Sequence, residues 1–215
     1  MSAATPGVTV DAEGTVTGNT YDKYGSTNPV VRRLMKRFEA TLEELFSAAA
    51  PESLLDVGCG EGVLTHRWAQ RLEGRVVGID LDDPLLHEQW AARQAPNLEY
   101  RVMKAERMPF ADGDFDVASA IEVLEHVPDP EHTLAEMARV ARRWLLVSVP
   151  REPLWRGLNM ARGAYLRDLG NTPGHLNHWS RRSFVALLSR YGEVAQARSP
   201  FPWTMLLVRL GENSR

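Results

Sequence analysis

The residues with the clearest chemical pattern form a glycine-rich segment, followed along the chain by an apolar run that ends in a carboxylate. The segment is Leu54-Leu55-Asp56-Val57-Gly58-Cys59-Gly60-Glu61-Gly62, and the apolar run is Val76-Val77-Gly78-Ile79-Asp80. Gly58 and Gly60 have the spacing at which a backbone can approach a bound nucleotide closely. An acid at the tip of the next strand, here Asp80, can accept hydrogen bonds from the two hydroxyls of a ribose. These residues predict a nucleotide-like cofactor at the carboxyl edge of a parallel sheet.

The same loop is a poor match to a phosphate-bearing cofactor. In the dinucleotide pattern G-x-G-x-x-G the third glycine would fall at Val63, and the extra glycine of this chain comes early, at Gly62. Glu61 also places a negative charge beside the start of the following helix, where a phosphate would otherwise bind. No Gly-Lys-Ser/Thr sequence follows, so a triphosphate would lack its usual lysine and magnesium ligand. We therefore expect a nucleoside cofactor without phosphates, with Asp56 anchoring the loop or a cationic part of the ligand.

Two other kinds of chemistry find no support in the sequence. The single cysteine, Cys59, excludes an internal disulfide, and no paired base accompanies it, so we expect a small side chain packed beside the cofactor rather than a nucleophile. No metal site is predicted either. The histidines and acids do not fall at zinc-like spacing, and no magnesium-binding set of carboxylates can be identified.

Alternating strands and helices must position these residues. Apolar residues at helical spacing predict an amphipathic first helix that ends before Pro51; they are Val31, Leu34, Met35, Phe38, Leu42, Leu45 and Phe46. The predicted elements that follow are strand Ser53–Val57, helix Val63–Leu72, strand Arg75–Asp80, helix Leu85–Gln94, strand Leu98–Met103, strand Phe115–Ala120, helix Thr133–Ala141, strand Trp144–Val149, a helix near Arg181–Ser189, and apolar runs at Val194–Arg198 and Trp203–Leu210. Strand and helix in turn indicate an α/β fold with a doubly wound, mostly parallel sheet and right-handed crossovers.

Length and composition fit one enzyme-sized domain. The chain has 215 residues, of which 44% are hydrophobic, enough for one full core but not for a second domain. Residues 1–20 lack periodicity, so we expect a mobile tail followed by a single domain over residues 21–215. No apolar run reaches the roughly 18 residues that a membrane-spanning helix needs, and the N-terminus has no secretory pattern. The expected location is the cytoplasm.

In these motifs the chain resembles the class I S-adenosylmethionine-dependent methyltransferases, and within them the type 11 branch that includes ubiquinone- and menaquinone-biosynthesis enzymes. The resemblance covers roughly residues 50 to 150. Four segments carry it in the family's order: Asp56-Val57-Gly58-Cys59-Gly60-Glu61-Gly62, Gly78-Ile79-Asp80-Leu81, Met108-Pro109-Phe110 with Asp114-Phe115-Asp116-Val117, and Glu122-Val123-Leu124-Glu125-His126-Val127. It implies a Rossmann-like sheet of seven strands, with one antiparallel strand in a closing C-terminal hairpin. It also implies S-adenosylmethionine as the methyl donor and S-adenosylhomocysteine as the product.

The resemblance further implies which residues contact each part of the cofactor. The implied contacts are Asp80 with the ribose, Leu81 with the adenine face, Ala105 and Glu106 with the adenine edge, the Ile121 backbone near the methionine end, and Tyr21 in a segment that closes over the cofactor or the acceptor. One position departs from the family, because Lys104 stands where an Asp often precedes the Ala-Glu pair.

Three histidines are the candidate general bases. Methyl transfer is an in-line displacement, so the enzyme mainly aligns donor and acceptor, but a hydroxyl or a protonated amine is helped by a base. His126 follows the fourth strand, where the family often has a histidine, and His175 and His178 precede a helix whose N-cap is Ser180. All three are predicted catalytic residues, and a packing or capping role for His126 stays open.

Charge is distributed unevenly along the chain. The first 130 residues carry 12 basic and 22 acidic side chains and the rest carry 13 and 6, so the two parts have net charges of −10 and +7. Ten arginines fall between Arg139 and Arg190. They form either an ordinary solvated face or a surface that binds an anionic acceptor or an anionic membrane.

Residues 150–180, between the fifth strand and the next helix, are the expected substrate lid. Apolar residues in this stretch share one helical face: Leu154, Trp155, Leu158, Ala161, Tyr165 and Leu169. Arginines lie between them. Residues 151–169 are therefore expected to form either a lid helix over the site or an interfacial helix that contacts the inner membrane surface and admits a lipid-linked substrate.

The expected function is methyl transfer to an oxygen or nitrogen of a small-molecule or lipid-linked acceptor. If the acceptor is anionic, the arginines between Arg139 and Arg190 would suit its charge. Nucleic-acid methylation fits less well, because the first part of the chain is acidic and Ala120-Ile121-Glu122-Val123 stands where an Asn/Asp-Pro-Pro-Tyr/Phe base pocket would lie. Protein methylation and a non-catalytic S-adenosylmethionine-binding role also stay open.

Overall fold

A seven-stranded sheet is the frame that positions the site. The computed structural model describes residues 9–10, 16–17, 28–161, 163, 165 and 168–211. The strands of the sheet are β1 (Leu54–Val57), β2 (Val76–Asp80), β3 (Leu98–Val102), β4 (Phe115–Ile121), β5 (Ala141–Pro150), β6 (Gly192–Arg198) and β7 (Trp203–Leu210). The helices are α1 (Pro29–Ala49), α2 (Val63–Ala69), α3 (Pro84–Ala91), α4 (Pro130–Val140), α5 (Leu154–Ala161) and α6 (Arg181–Leu188). A separate two-residue pair joins Thr9–Val10 to Val16–Thr17.

The sheet has the order β3-β2-β1-β4-β5-β7-β6. Strands β1 to β5 are parallel, and β7 is antiparallel to both of its neighbours. The predicted seven-stranded, mostly parallel sheet with one antiparallel strand is therefore confirmed. The chain runs outward from β1 to β3 and then crosses to β4, so the order reverses between β1 and β4. Ligands of open α/β sheets bind at such a reversal, outside the carboxyl ends of the strands.

Helices cover both faces of the sheet, which explains the unbroken apolar runs of its central strands. On one face, α1 and α2 pack on Leu54, Val76 and their neighbours. On the other face, α4 and α6 pack on Leu55, Val77 and their neighbours. Successive residues of a strand thus enter different cores, and β1 is buried at all four positions.

The first helix begins at Pro29 and ends before Pro51, as the sequence predicts for its end. The Asn28 side chain accepts a hydrogen bond from Val30 N, and Pro29 occupies the first turn, where its missing N–H is not needed. Ala50 ends the helix in the left-handed region, directly before Pro51. Its buried face packs through aromatic rings, with Phe46 stacked on Trp68 at 4.8 Å and Phe38 edge-on to Trp203 at 4.8 Å.

Several predicted boundaries are wrong. Helix α2 ends at Ala69 rather than Leu72, helix α3 ends at Ala91 rather than Gln94, and strand β5 begins at Ala141 rather than Trp144. Helix α4 begins at Pro130 rather than Thr133, because the Asp129 side chain accepts from His132 N and proline suits the first turn. Helix α5 ends at Ala161, so the helical face predicted as far as Leu169 is too long. Tyr165 and Leu169 have φ angles of 54° and 50°, which an α-helix cannot contain.

The start of the lid is bonded to the residue before β7 and to the end of the lid itself. Arg151 N donates to Pro202 O at 2.9 Å, and Glu152 N donates to Trp179 O at 2.9 Å. Most of the predicted tail, residues 1–20, lies outside the described residues. Among the residues that are described, no helix is both long enough and apolar enough to cross a bilayer.

Candidate active site

The glycine loop after β1 takes a backbone path that side chains would block. Gly58, Gly60 and Gly62 have φ angles of +68°, +52° and +75°, in the left-handed region that favours glycine. A Cβ on Gly58 would overlap the Val123 side chain, whereas a Cβ on Gly60 would meet no atom within 4 Å. Since Gly60 borders a cavity of about 620 Å³, that open space belongs to the cavity. The loop is therefore a cradle that a Cβ would partly fill.

Two aromatic side chains fix the glycine loop through hydrogen bonds to its carbonyl oxygens. Trp90 Nε1 donates to Gly60 O at 2.8 Å, and Tyr100 Oη donates to Gly62 O at 3.3 Å. Their rings stack with centroids 5.2 Å apart. A Cβ on Gly62 would overlap the Tyr100 ring and hydroxyl, which explains the early third glycine of the loop. Sequence reasoning missed both aromatics, because they come from α3 and β3 and belong to no local motif.

Asp80 is fixed by the backbone on both carboxylate oxygens. Its Oδ2 accepts from Gly60 N at 2.7 Å and its Oδ1 accepts from Leu81 N at 2.8 Å. Burial raises the pKa of this carboxyl, and the two backbone hydrogen bonds oppose that rise. Each oxygen has a second lone pair, so the carboxylate can still accept from two ribose hydroxyls.

Asp56 ties the loop strand to its neighbours. Its carboxylate accepts from Thr65 Oγ1 at 2.6 Å and from Ser119 Oγ at 2.7 Å, so it links β1 to α2 and β4. Only 3% of the residue is exposed, and burial raises the pKa of the carboxyl to about 6. These contacts support the loop-anchoring role. Asp56 also lines the cavity that Gly60 borders, which keeps a contact with the ligand open.

Cys59 has the surroundings of a packed thiol. Burial raises its pKa well above the ordinary range, and the nearby carboxylates Asp80 and Asp56 raise it further. The thiol therefore stays protonated near neutral pH, which agrees with a packing role in the loop.

Two cavities meet at Asp80. The larger, of about 620 Å³, is bounded by the glycine loop, the end of β4, α1 and the lid, and the smaller has about 110 Å³. The residues predicted for the adenine, Leu81, Ala105 and Glu106, line the smaller cavity, together with Lys104. The other predicted cofactor contacts line the larger one: Asp56, Gly58, Cys59, Gly60 and Ile121. Gly58 and Asp80 border both, and Tyr21 lies outside the described residues.

Two of the three candidate histidines lie together in the larger cavity. His126 and His175 line it with their rings edge to face, 4.9 Å between centroids. His126 Nδ1 lies 2.9 Å from Gly174 O. His178 is exposed, lies 2.7 Å from the Asn171 side-chain oxygen through its Nε2, and is not among the residues lining either cavity.

A buried carboxylate completes this pair of imidazoles. Glu125 is 2% exposed and lines the same cavity. One ligand-type atom from each of Glu125, His126 and His175 lies within 4.8 Å of the others. The sequence-based search for metal ligands relied on local spacing, so it could not find this group. His175 reaches the other two only because the end of the lid packs on the loop after β4.

One wall of the larger cavity is aromatic. Trp155 lies 5.9 Å from Trp203 and 6.3 Å from His175 between ring centroids. Trp155 Nε1 donates to Thr172 Oγ1 at 2.9 Å, and Trp203 Nε1 donates to Glu122 Oε2 at 2.7 Å. With their polar atoms satisfied inside the protein, the indoles present apolar surface to the cavity.

The arginine-rich stretch does not supply the cavity lining. Among the described residues, neither cavity is lined by an arginine, and the larger has no lysine. The carboxylates that line the larger cavity are Asp56, Glu61, Asp80, Glu122 and Glu125. Its charge therefore suits a cationic or neutral ligand better than an anion.

Sequence comparison gives partial matches to methyltransferases. A family model described as a methyltransferase domain matches residues 55–144. The ubiquinone biosynthesis O-methyltransferase of Hahella chejuensis (strain KCTC 2396) is 41% identical over 102 residues, 44% of this chain and 41% of that protein. The enzyme of the same name from Aeromonas salmonicida (strain A449) is 33% identical over 153 residues, 66% of this chain and 61% of that protein. The matched part of the chain therefore spans less than two thirds of the length of either relative.

Solved structures share the fold at low sequence identity. Magnesium protoporphyrin IX methyltransferase (ChlM) from Synechocystis PCC 6803, solved with bound SAH, has a TM-score of 0.66 at 17% identity, over 87% of this chain and 90% of that one. The cyclase SpnF has a TM-score of 0.62 at 16% identity, over 88% and 85%. The sequence matches thus indicate a methyltransferase domain over residues 55–144, and the solved structures show that the chain shares their fold.

Proposed function

We propose that this chain transfers a methyl group from S-adenosylmethionine to an oxygen of a small, largely apolar acceptor. One observation carries the proposal. The glycine cradle with Asp80 and the group formed by Glu125, His126 and His175 line the same cavity. A donor bound in the cradle and an acceptor beside the imidazoles would thus share one cavity, as in-line transfer requires.

The residues of the two cavities fit the methyl donor. Asp80 would accept from the ribose hydroxyls, and Leu81, Ala105 and Glu106 would surround the adenine in the smaller cavity. Gly58, Cys59, Gly60 and the Ile121 backbone would border the methionine end, with Asp56 behind them. When bound, S-adenosylmethionine supplies a methyl group on a positively charged sulfur, and the carboxylates of this cavity suit that charge.

The remaining walls select the acceptor. Leu34, Phe38, Trp155, Leu158 and Trp203 give the larger cavity an apolar and aromatic surface. Aromatic walls favour a planar acceptor through ring contacts. The names of the relatives in Hahella and Aeromonas specify O-methylation in ubiquinone biosynthesis, which favours oxygen over nitrogen as the methylated atom. An acceptor with a hydroxylated ring fits both observations, and its remainder could be a small molecule or a lipid-linked chain.

His126 and His175 promote loss of the acceptor's proton. A hydroxyl is a weak nucleophile until its proton leaves, and these imidazoles are the groups near the aromatic wall that are suited to that task near neutral pH. His178 is exposed outside the cavities, so the proposal rests on the other two. Proton loss leaves both electrons of the O–H bond on oxygen, which then forms the new O–CH₃ bond while the methyl–sulfur bond breaks.

Calorimetric titration of S-adenosylmethionine and S-adenosylhomocysteine tests the donor site. Both are expected to bind, and Asp80→Ala is expected to weaken both by at least about 10-fold, since the ligand loses two charge-assisted hydrogen bonds to a buried carboxylate. Asp114→Ala, at an exposed position outside the cavities, is the matched control and is expected to bind normally. Failure of both molecules to bind the wild-type chain would refute the proposal.

Contact of residues 151–169 with a membrane is a second candidate property. Met160, Leu169 and Leu176 are 42%, 65% and 58% exposed on or beside the lid, and Tyr165 lies at the cavity wall. Exposed apolar residues with flanking arginines suit the interface of an anionic bilayer. Co-sedimentation with anionic vesicles is expected at low salt and is expected to weaken in Leu169→Ser with Met160→Ser. Equal sedimentation with neutral and anionic vesicles, or none with either, would exclude it.

Two further activities are less well supported. Nucleic-acid methylation would place a phosphate backbone beside a cavity lined by carboxylates. Binding without methyl transfer is compatible with this fold, as the structural likeness to the cyclase SpnF illustrates. Turnover on a panel of hydroxylated aromatic compounds separates binding from catalysis, because a non-methylating protein would bind S-adenosylmethionine without forming S-adenosylhomocysteine.

A further inference from the structure

Glu125, His126 and His175 form a donor set for a metal ion. Their ligand-type atoms lie within 4.8 Å of one another, at the wall of the larger cavity. Two imidazoles and one carboxylate are ligands that divalent first-row transition metals share. Glu125 and His175 are buried and His126 is half-buried, so the group is not a chance cluster of solvated surface charges.

The backbone around the group is tightly fixed. Leu176 N and Asn177 N both donate to Glu125 O, at 2.8 and 3.1 Å. Asn177 Nδ2 donates to Leu124 O at 3.1 Å and to Val127 O at 2.7 Å. The segment that carries His175 is thereby fastened to the segment that carries the other two donors. A metal ion would need only small side-chain movements to bring the three donors to bonding distance.

The hydrogen bond made by His126 defines its tautomer. A carbonyl oxygen only accepts, so the 2.9 Å contact with Gly174 O requires the proton on Nδ1. The lone pair of the neutral ring is then on Nε2. Metal-binding histidines commonly donate their second ring N–H to a backbone carbonyl in this manner, which fixes the ring and makes it a better ligand.

The charge of the cavity also favours a cation. Five carboxylates line it, and among the described residues no lysine or arginine does. Because an enclosed cavity lined by one sign of charge concentrates ions of the opposite sign, a divalent ion gains from the whole lining.

We propose that Glu125, His126 and His175 bind a divalent transition metal ion such as Zn²⁺, with its remaining coordination positions open to the cavity. Three protein ligands with an open position is the arrangement of zinc sites that act on a substrate. The acceptor's oxygen would occupy the open position. Coordination would lower the pKa of its hydroxyl, so the two imidazoles would promote proton loss through the metal ion instead of accepting the proton themselves, and the proton would pass to water. This role in methyl transfer rests on the proposed function, whereas metal binding itself does not.

Metal binding can be measured without turnover. The full chain, with no affinity tag, is stripped with a chelator, and Zn²⁺ is then titrated by calorimetry. We expect about one Zn²⁺ per chain, and at least about 10-fold weaker binding in Glu125→Gln and in His175→Ala, because each removes a ligand. His178→Ala is the matched control, since His178 belongs to the same segment but lies outside the group, and it is expected to bind Zn²⁺ like the wild type.

Cobalt gives a spectroscopic check on the same ligands. Co²⁺ is expected to produce visible absorption bands in the wild type and in His178→Ala that weaken in Glu125→Gln and His175→Ala. S-adenosylmethionine affinity shows that each variant is folded. If the wild type binds Zn²⁺ no better than His175→Ala while S-adenosylmethionine binds normally, the metal proposal is overturned and the methyltransferase proposal survives. Failure of S-adenosylmethionine binding with intact Zn²⁺ binding would overturn the methyltransferase proposal and support the metal site.

Discussion

Gly60 and Gly62 share a left-handed backbone but differ in what surrounds them. A Cβ at Gly62 would overlap Tyr100, whereas a Cβ at Gly60 would enter the cavity. Gly62→Ala is therefore expected to lower the free energy of unfolding by about 2 to 4 kcal/mol, from backbone strain together with steric overlap. Gly60→Ala is expected to lose less stability and more affinity for S-adenosylmethionine. Chemical denaturation and calorimetric titration of both variants measure the contrast, and equal effects of the two on both quantities would contradict it.

The buried Asp56 makes stability depend on pH. Burial raises the pKa of its carboxyl from an ordinary value of 3.8 to about 6 in the folded chain. The folded state then binds the proton more tightly than the unfolded state, so the contribution of Asp56 to stability is greatest at acid pH. That contribution falls as pH rises from about 4 to 6 and is constant above.

Asp56→Asn is expected to remove this decrease in stability with rising pH. The Thr65 and Ser119 hydroxyls can still bond to an amide, and no proton is left to lose. Between pH 4.5 and pH 7, the stability of the wild type relative to the variant is expected to drop by up to about 2 kcal/mol. This is most of the free energy that corresponds to the difference between the folded and unfolded pKa values of Asp56. Urea unfolding of both proteins at the two pH values measures the difference. A wild type that gains stability relative to Asp56→Asn over this interval would show that the sign is wrong.

Candidate site residues were predictable from the sequence where they belong to a local motif. Gly58, Gly60 and Asp80 fall within short segments whose spacing carries the chemistry, and the structure brings them together at Gly60 N and Asp80 Oδ2. Trp90 and Tyr100 support the loop from separate elements, so no spacing along the chain connects them to it. The proximity of His175 to Glu125 and His126 could not be predicted for the same reason.

At the scale of elements, the Asn177 side chain is one of the groups that hold the end of the lid. Asn177 Nδ2 donates to Leu124 O and Val127 O, which fastens the lid to the loop after β4. Asn177→Ala is expected to raise the KM for the acceptor at least about 5-fold, because His175 is no longer held beside His126. Affinity for S-adenosylmethionine is expected to change little, since the cradle and Asp80 are untouched.

Asn97→Ala is the control for this prediction. The Asn97 Nδ2 donates to the carbonyl oxygens of Ala69, Leu72 and Gly74. Ala69 is the last residue of α2 and the other two follow it, so none of them belongs to the lid. Asn97→Ala is expected to lose stability as Asn177→Ala does, without the change in acceptor KM. Steady-state kinetics with both substrates varied separates the two variants, and a matching rise in KM in both would mean that general loosening of the fold is responsible.

The order of the elements was predictable, whereas several boundaries were not. Helical and strand periods identify each element of the sheet, because its core positions repeat along the chain. Helix α4 starts at Pro130 because Asp129 caps it and proline suits its first turn. Both residues precede the apolar residues from which the start was predicted. The end of α5 was missed because the apolar face continues to Leu169 while the backbone leaves the helix.

At the scale of the whole molecule, folding brings some of the unevenly distributed charges of the sequence into ion pairs. Arg139 lies 2.8 Å from Asp112 and 2.9 Å from Glu136, Arg142 Nε lies 3.0 Å from Asp116, and Arg190 lies 2.8 Å from Glu131. Two of these pairs, with Asp112 and Asp116, join the arginine-rich stretch to the acidic first 130 residues, and all four leave less positive charge for a ligand. Sequence could show the two blocks of charge but not that they would meet.

The distribution of charge over the folded molecule predicts which acceptors the enzyme prefers. Carboxylates line the larger cavity, while described arginines such as Arg139, Arg142 and Arg190 are engaged elsewhere. A hydroxylated aromatic acceptor without charge is therefore expected to have a kcat/KM at least about 10-fold higher than its carboxylated analogue, which would meet like charge in a desolvated space. Leu158→Arg, which places a cation on the aromatic side of the cavity, is expected to narrow that ratio, and Leu158→Met controls for the change in shape. A wild type that prefers the carboxylated compound would instead assign the acceptor to the arginine-rich surface outside the cavity.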